Sequence, residues 1–408
     1  MRRVGILLVT LLLLAGCTTT QGEPAPPAAP PSAEQPPVAE PVVQPQPDPE
    51  SVVLSRLAMV NAGYGWALGY DVKNSPLLVL RTDSGGESWA VTALPKLPAG
   101  PVPGLKVAEI LPFGPHRAVL AARAGERAVA VLRTSDGGAT WAQTLLEVEP
   151  WETGGVHLAF AGEEGWLLLT SDPALGSMRK SIFRSSDGGR SWTSVARAAT
   201  EKPLPEREYV TGIAAFDGER AWVGRYYRTE ESAFLYETAD GGKRWSQLSL
   251  PYPQDVPHGF WANTFPPLLF GPDRQRGVLV AGFPGIAGAT TIYRTSDGGR
   301  TWELGTGVTA LSLRDYSFAD ADNGWLLQQG GARLFDTADG GRTWNERIDP
   351  NQEFPQLREA VQIEFTDAAT GWALLRLESG RSRVLKSTDR GATWTEQPLV
   401  LKQPCDCR

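Results

Sequence analysis

Little in this 408-residue chain invites redox or metal chemistry. It has three cysteines, Cys17, Cys405 and Cys407, and three histidines, His116, His157 and His258, which are far apart in the chain. That excludes a disulfide scaffold and leaves no recognisable metal motif. Positive charge is short as well, 39 Lys and Arg against 46 Asp and Glu for a formal net charge of −7. A nucleic-acid partner is disfavoured. No stretch carries a sustained helical period, and no cofactor motif emerges. What the chain has in excess is tryptophan, with 14, and glycine, with 44. Those two residue types point to a repeat.

The amino terminus reads as an address. Arg2 and Arg3 precede an apolar run from Val4 to Leu14, and then comes Leu14-Ala15-Gly16-Cys17. The run falls well short of the roughly 20 residues of a membrane span and suits a secretory leader. Leu-Ala-Gly-Cys resembles the lipobox of bacterial lipoproteins, which implies cleavage before Cys17 and acylation of that residue. Two or three acyl chains give stable anchoring where one is marginal. From Gly22 to Glu50 the chain holds 11 of its 33 prolines and no aromatic residue. Such a composition cannot bury enough apolar surface to offset ordering, so a disordered spacer is expected. The chain therefore divides into a leader at 1–16, a lipidated cysteine and proline-rich linker at 17–51, a repeat region at 52–401 and a tail at 402–408. The tail carries Cys405 and Cys407, whose separation is too short for an unstrained disulfide.

One phrase recurs through the repeat region. A Thr or Ser is followed two positions on by Asp, then by two glycines (Arg390 and Gly391 in the last copy) and, five positions after the Asp, by Trp. The pairs are Asp136 and Trp141, Asp187 and Trp192, Asp240 and Trp245, Asp297 and Trp302, Asp339 and Trp344, and Asp389 and Trp394. A degenerate first copy has Ser84 in place of Asp, before Trp89. Successive tryptophans lie 52, 51, 53, 57, 42 and 50 residues apart, within the period range of propellers and solenoids. Around each phrase four short apolar runs alternate as strands, which is the pattern of a propeller blade. The Asp is expected to accept hydrogen bonds from the turn and from the hydroxyl residue, and the Trp to plug the space beside it. Arg244 and Ser84 break those roles, so the first and fourth turns should be looser. Five units carry a second tryptophan on the second strand, at positions 66, 166, 222, 325 and 372; units two and five lack it. The fold class is thus all-β: a seven-bladed propeller of four-stranded blades, with a ring closed by packing alone.

The phrase resembles the Asp-box, or bacterial neuraminidase repeat, of sialidases, xyloglucanase-type glycoside hydrolases, sortilin-type receptors and the photosystem II assembly-factor family. The resemblance implies boxes at the blade periphery, away from any ligand. It does not decide between binding and catalysis. The Phe-Arg-Ile-Pro segment of sialidases is absent, and a single propeller lacks the two-domain cleft of xyloglucanases. Asp315, Asp320 and Asp322 leave an acid pair formally open, although Asp320 and Asp322 read better as a turn. Binding candidates are Arg225, Tyr226, Tyr227 and Arg228 on one strand, Trp261 in an aromatic lead-in, and Arg314 with Tyr316 toward the axis. The reading favours a non-catalytic module on the extracytoplasmic face of a cell or outer membrane. Its partner would be an envelope protein or a glycan, with the lipid bilayer held through the anchor. A glycoside hydrolase or lyase acting on extracellular polysaccharide is the alternative.

Overall fold

A computed structural model describes residues 46–402, apart from 74–76, 96, 98–107, 197–203, 207, 229–232, 255, 257–260, 284–288, 307, 310–311, 330–332 and 348–356. The leader, Cys17, most of the spacer and the pair Cys405 and Cys407 lie outside the described residues.

Each repeat folds into an antiparallel sheet because its apolar runs are short, forming strands of two to nine residues, and are separated by Gly- and Asp-bearing turns. Blade 1 comprises Val52–Met59, Gly65–Asp71, Leu77–Thr82 and Trp89–Val91, and blade 7 comprises Leu357–Phe365, Gly371–Leu377, Ser382–Ser387 and Thr395–Gln397. In both, the strands pair in sequence order. Second strands such as Gly371–Leu377 are buried along nearly all their length, since a neighbouring blade covers each face. This explains their continuous apolar sequence. Residues of all seven first strands or their extensions, Arg56, Glu109, His157, Gly212, Pro266, Asp315 and Glu364 among them, line a single axial channel of about 580 Å³.

The box turn forms as its residue types require. In blade 5 the carboxylate of Asp297 accepts from Thr301 N at 2.9 Å, Thr301 Oγ1 at 2.6 Å and Thr295 Oγ1 at 2.8 Å. Thr295 Oγ1 in turn accepts from Gly299 N at 2.8 Å. Gly298 and Gly299 sit at φ 71° and 79°, which side chains resist. The two expected loose turns keep the scheme with substitutes. Arg244 Nε reaches Asp240 at 3.2 Å, and Ser84 Oγ accepts from Ser88 N at 3.1 Å.

Indoles wedge the blades together. The second-strand tryptophan packs on the box tryptophan of the next blade, with Trp66 edge-on to Trp141 at 5.9 Å and Trp166 edge-on to Trp245 at 6.2 Å. At the closing seam Trp372 donates to Gly85 O at 2.8 Å and shares a core with Trp89. Blades 2 and 5 lack that second-strand indole, and the box tryptophans they face, Trp192 and Trp344, are half-buried, as is Trp245 against Trp166. A second device repeats beside the wedge: a cation late in the third strand lies against the next box turn. Arg81 meets Gly137, Arg133 meets Gly189, Arg184 meets Gly241, Arg294 meets Gly340 and Lys386 meets Gly85. Blade 6 reverses the polarity. There Asp336 takes Arg390 of the blade 7 turn at 2.9 Å and Arg347 at 2.6 Å. Arg390 stands where other boxes have glycine, at φ 66°.

Two features depart from the sequence-based expectation. The ring does not close by packing alone, because Leu401–Lys402 adds a parallel strand to the outer edge of blade 1, pairing with Trp89 and Ala90. Gln46 from the other end of the chain donates to Leu401 O at 3.0 Å. Blades 4 and 5 also share one sheet. The end of Ala221–Arg228 in blade 4 leaves its own third strand and pairs with Trp261–Thr264 of blade 5, Arg225 opposite Thr264 and Arg228 opposite Trp261. Gly224 permits this approach, since a Cβ there would lie 2.2 Å from Thr211 Oγ1 and 2.5 Å from Thr264 O.

Candidate binding face at the channel mouth

First strands alternate one residue toward the channel with one toward the blade, so their polar positions face the axis. Those side chains stitch neighbouring blades. Glu109 accepts from Leu158 N at 2.6 Å, Asp315 from Ile363 N at 2.8 Å and Ser317 from Phe365 N at 2.9 Å. Gln362 closes the ring, accepting from Leu57 N at 2.8 Å and donating to Leu57 O at 3.0 Å. Glu364 accepts from the backbone of Met59. Arg56 is the cation of the channel wall, 3.3 Å from Glu109.

Burial shapes the acidity of this wall. It pushes Asp315 up to about 6 and Glu364 up to about 7, against the pull of backbone N–H groups and Arg56. Burial likewise lowers His157, which therefore stands neutral near pH 7. Among the described residues no cluster of three His, Cys, Asp or Glu is placed to hold a metal ion.

Three aromatic rings stack where first strands enter the ring. Tyr209 and Tyr226 are cross-strand partners, nearly parallel with centroids 6.0 Å apart. Tyr226 and Trp261 stack at 4.9 Å across the shared sheet of blades 4 and 5. Trp261 is 46% exposed. The row adjoins the channel wall, because Gly224, on the face that carries Tyr226, packs under Thr211 and Pro266. The hairpin tip of blade 3 is tied to it, Gly176 N donating to Tyr209 Oη at 3.1 Å. That tip is a two-residue turn with reciprocal Ala174 and Ser177 bonds and with Leu175 and Gly176 at φ 49° and 80°. A leucine in the left-handed region costs about 1 kcal/mol or more, and this one is fully exposed.

The binding candidates from the sequence separate into three groups. Tyr226 and Trp261 come together on the surface, although they belong to different blades. Arg225 and Tyr227 turn inward: Arg225 is 1% exposed, paired with Glu208 and stacked on Tyr227 and Tyr236. Their part is to hold the splayed strand rather than to meet a ligand. Arg228 is in the strand beside Trp261. Tyr316 lines the channel against Phe265, whereas Arg314 is exposed and reaches Ala360 O at 3.3 Å. Asp320 accepts from Asp322 N and Asn323 N, a turn with no part in the channel. Sequence reasoning missed Arg56, Glu109, Glu364, Tyr209 and Leu175. Part of the channel wall had a signal: His157, Asp315 and Gln362 each lie three residues before a phenylalanine near the end of the first strand, Phe160, Phe318 and Phe365, whereas Arg56, Glu109 and Glu364 do not share that spacing.

Seven box turns on the outside and one channel walled by every blade define an Asp-box β-propeller. Comparison with known proteins narrows the class. The family model described as photosynthesis system II assembly factor YCF48 matches residues 307–408. A photosystem II assembly lipoprotein, Ycf48, of Synechococcus sp. (strain CC9902) is 24% identical over 278 residues, covering 67% of this chain and 71% of that protein. A xyloglucanase of Paenibacillus sp. is 27% identical over 248 residues, 55% of this chain but only 23% of the enzyme's length. The solved structure of YCF48 from Cyanidioschyzon merolae superposes with a TM-score of 0.51 at 17% identity, over 84% of this chain and 97% of that one. The chain is thus an Asp-box propeller similar in sequence to the Ycf48 proteins.

Proposed function

We propose that the mature chain starts at Cys17, is held at the extracytoplasmic face of a membrane by acyl groups on that residue, and offers its propeller as a non-catalytic platform for a protein or glycan partner. The lipobox-like leader supports the anchor, as does the name of the Synechococcus relative, a lipoprotein. One observation carries the non-catalytic reading: Glu109, Asp315 and Glu364 each accept a backbone N–H of the adjoining blade, so the channel's carboxylates serve to hold the ring, Glu364 through one of its two oxygens. A general acid or base needs a proton-transfer path to substrate instead. The test is turnover. The mature protein is expected to leave xyloglucan, sialosides and chromogenic glycosides intact, and Cys17→Ala is expected to release it from the membrane fraction. Retention of the variant in that fraction with unchanged mass would remove the anchor from the proposal.

The hydrolytic alternative has one observation in its favour, the raised pKa of both Asp315 and Glu364 in one channel. Carboxyls held protonated near neutral pH can serve as general acids. If any glycoside is cleaved and Glu364→Gln abolishes the cleavage, the platform reading falls.

A further inference from the structure

We propose that Leu175, Tyr209, Tyr226 and Trp261 form a docking ridge for an extended polypeptide segment that carries an apolar side chain beside a basic one. The inference rests on the platform reading above and gives it a location and a ligand class. Folding does not account for Leu175. The residue occupies a turn position that favours Gly or Asn, and its side chain reaches no core. An apolar side chain kept at such a site, tied through Gly176 to a row of stacked rings, has the composition of an interface hot spot. The rings are also preorganised. Tyr226 is clasped between Tyr209 and Trp261, so a partner meets them with little further loss of rotamer freedom.

The geometry selects polypeptide over sugar. The central ring, Tyr226, is covered on both faces, and the ridge ends in the fully exposed aliphatic Leu175, which offers a sugar neither a hydrogen bond nor a stacking face but suits an apolar side chain. Charge selects the sign. Asp172 is exposed three residues before Leu175, and Glu206 lies on the segment that pairs with the hairpin at Met178. The base at that tip, Arg179, lies over Trp151 at 5.5 Å. A cationic residue in the partner complements this rim, and the chain's net charge of −7 favours its approach.

The experiment screens the full-length mature protein against a displayed library of random dodecapeptides and, in parallel, against a glycan array. Selected peptides are expected to share a Lys or Arg next to Leu, Phe or Trp. Trp261→Ala should weaken their binding at least tenfold. Leu175→Gly should weaken it several-fold while raising Tm, because glycine relieves the turn; that variant separates loss of contact from loss of fold. Leu145→Ala, an exposed apolar position in blade 2, should bind as the parent does. The ridge is overturned if the library yields no enriched peptide, or if enriched peptides bind Leu175→Gly and Trp261→Ala unchanged. It is equally overturned if a glycan binds and Trp261→Ala abolishes that binding. Peptide binding indifferent to the ridge variants would leave the platform reading standing without this site, and cleavage of a glycan would remove the platform itself.

Discussion

The rim and the axis of this propeller use the same carboxylate chemistry to opposite ends. At the rim, burial works against ionisation of Asp297 and Asp339, but donors from their own turns outweigh it and hold both at about 2. At the axis, burial prevails and lifts Asp315 to about 6 and Glu364 to about 7. The rim acids are local and repeat in six of the seven blades, so they stabilise a turn and say nothing about blade order. The axial acids differ from blade to blade and bond to the next blade, so they fix neighbours. Periodicity builds the ring, and departures from periodicity give it distinct sides.

The largest test of that contrast is to remove a wedge. Trp372→Ala deletes a fully buried indole at the closing seam together with its bond to Gly85 O, and should cost about 3–5 kcal/mol. Trp344→Ala, at the half-buried box of blade 6, should cost less than half as much. Urea unfolding of the two variants measures the difference, and equal losses would mean that the indole wedge is not what distinguishes these interfaces.

Next in size is the reversed ion pair. Asp336→Ala leaves Arg390 and Arg347 without their buried carboxylate and should cost about 3 kcal/mol. Arg390→Gly restores the common turn and relieves a left-handed arginine, yet it strips Asp336 of one partner. The double variant Asp336→Arg with Arg390→Gly recreates the polarity of five of the other interfaces, blade 4 having Glu237 at that position. It should recover stability beyond the sum of the single changes, by more than about 1 kcal/mol in a double-mutant cycle.

pH sharpens the same comparison. Folded Asp315 and Glu364 hold protons that the unfolded chain has released, so their contribution is whole below about pH 4 and is lost as pH rises to about 7. Asp297 and Asp339 act in reverse, contributing above about pH 4 and losing that contribution as pH falls through about 2. Thermal stability should therefore peak between about pH 4 and 5. Glu364→Gln should flatten the alkaline limb, by about 2 kcal/mol at most. An unchanged alkaline limb would show that Glu364 is ionised in the folded ring.

How much of this was legible follows from where the partners lie in the chain. A box is complete within eight residues, so its turn and the blade count could be read from Asp297, Thr301 and their copies. The wedge was half legible, as the missing tryptophans of units two and five set apart two interfaces before any coordinates. The aromatic row was not. Tyr226 and Trp261 lie 35 residues apart and meet only because Gly224 lets one blade's strand pair with the next. Leu175 gave no signal, since its turn reads as an ordinary hairpin until its φ is known. The closing strand Leu401–Lys402 is too short to carry a period.

The smallest effect expected comes from repairing the one turn that lost its acid. Ser84 accepts from Ser88 N at 3.1 Å and meets Ser88 Oγ at 3.0 Å, where Asp297 makes the matching bonds at 2.9 and 2.6 Å with a full negative charge. Charge-assisted bonds are shorter and stronger. Ser84→Asp should therefore stabilise the protein, but by less than about 1 kcal/mol, because Asp83 beside it adds repulsion and the site is partly open to solvent. Lys402 of the closing strand, 3.7 Å from Asp83, offsets some of that repulsion. If the gain appears in the parent and vanishes in Lys402→Ala, the rim turn of blade 1 and the closing strand act together, and the contrast between a purely local rim and a coupled axis fails at that one blade.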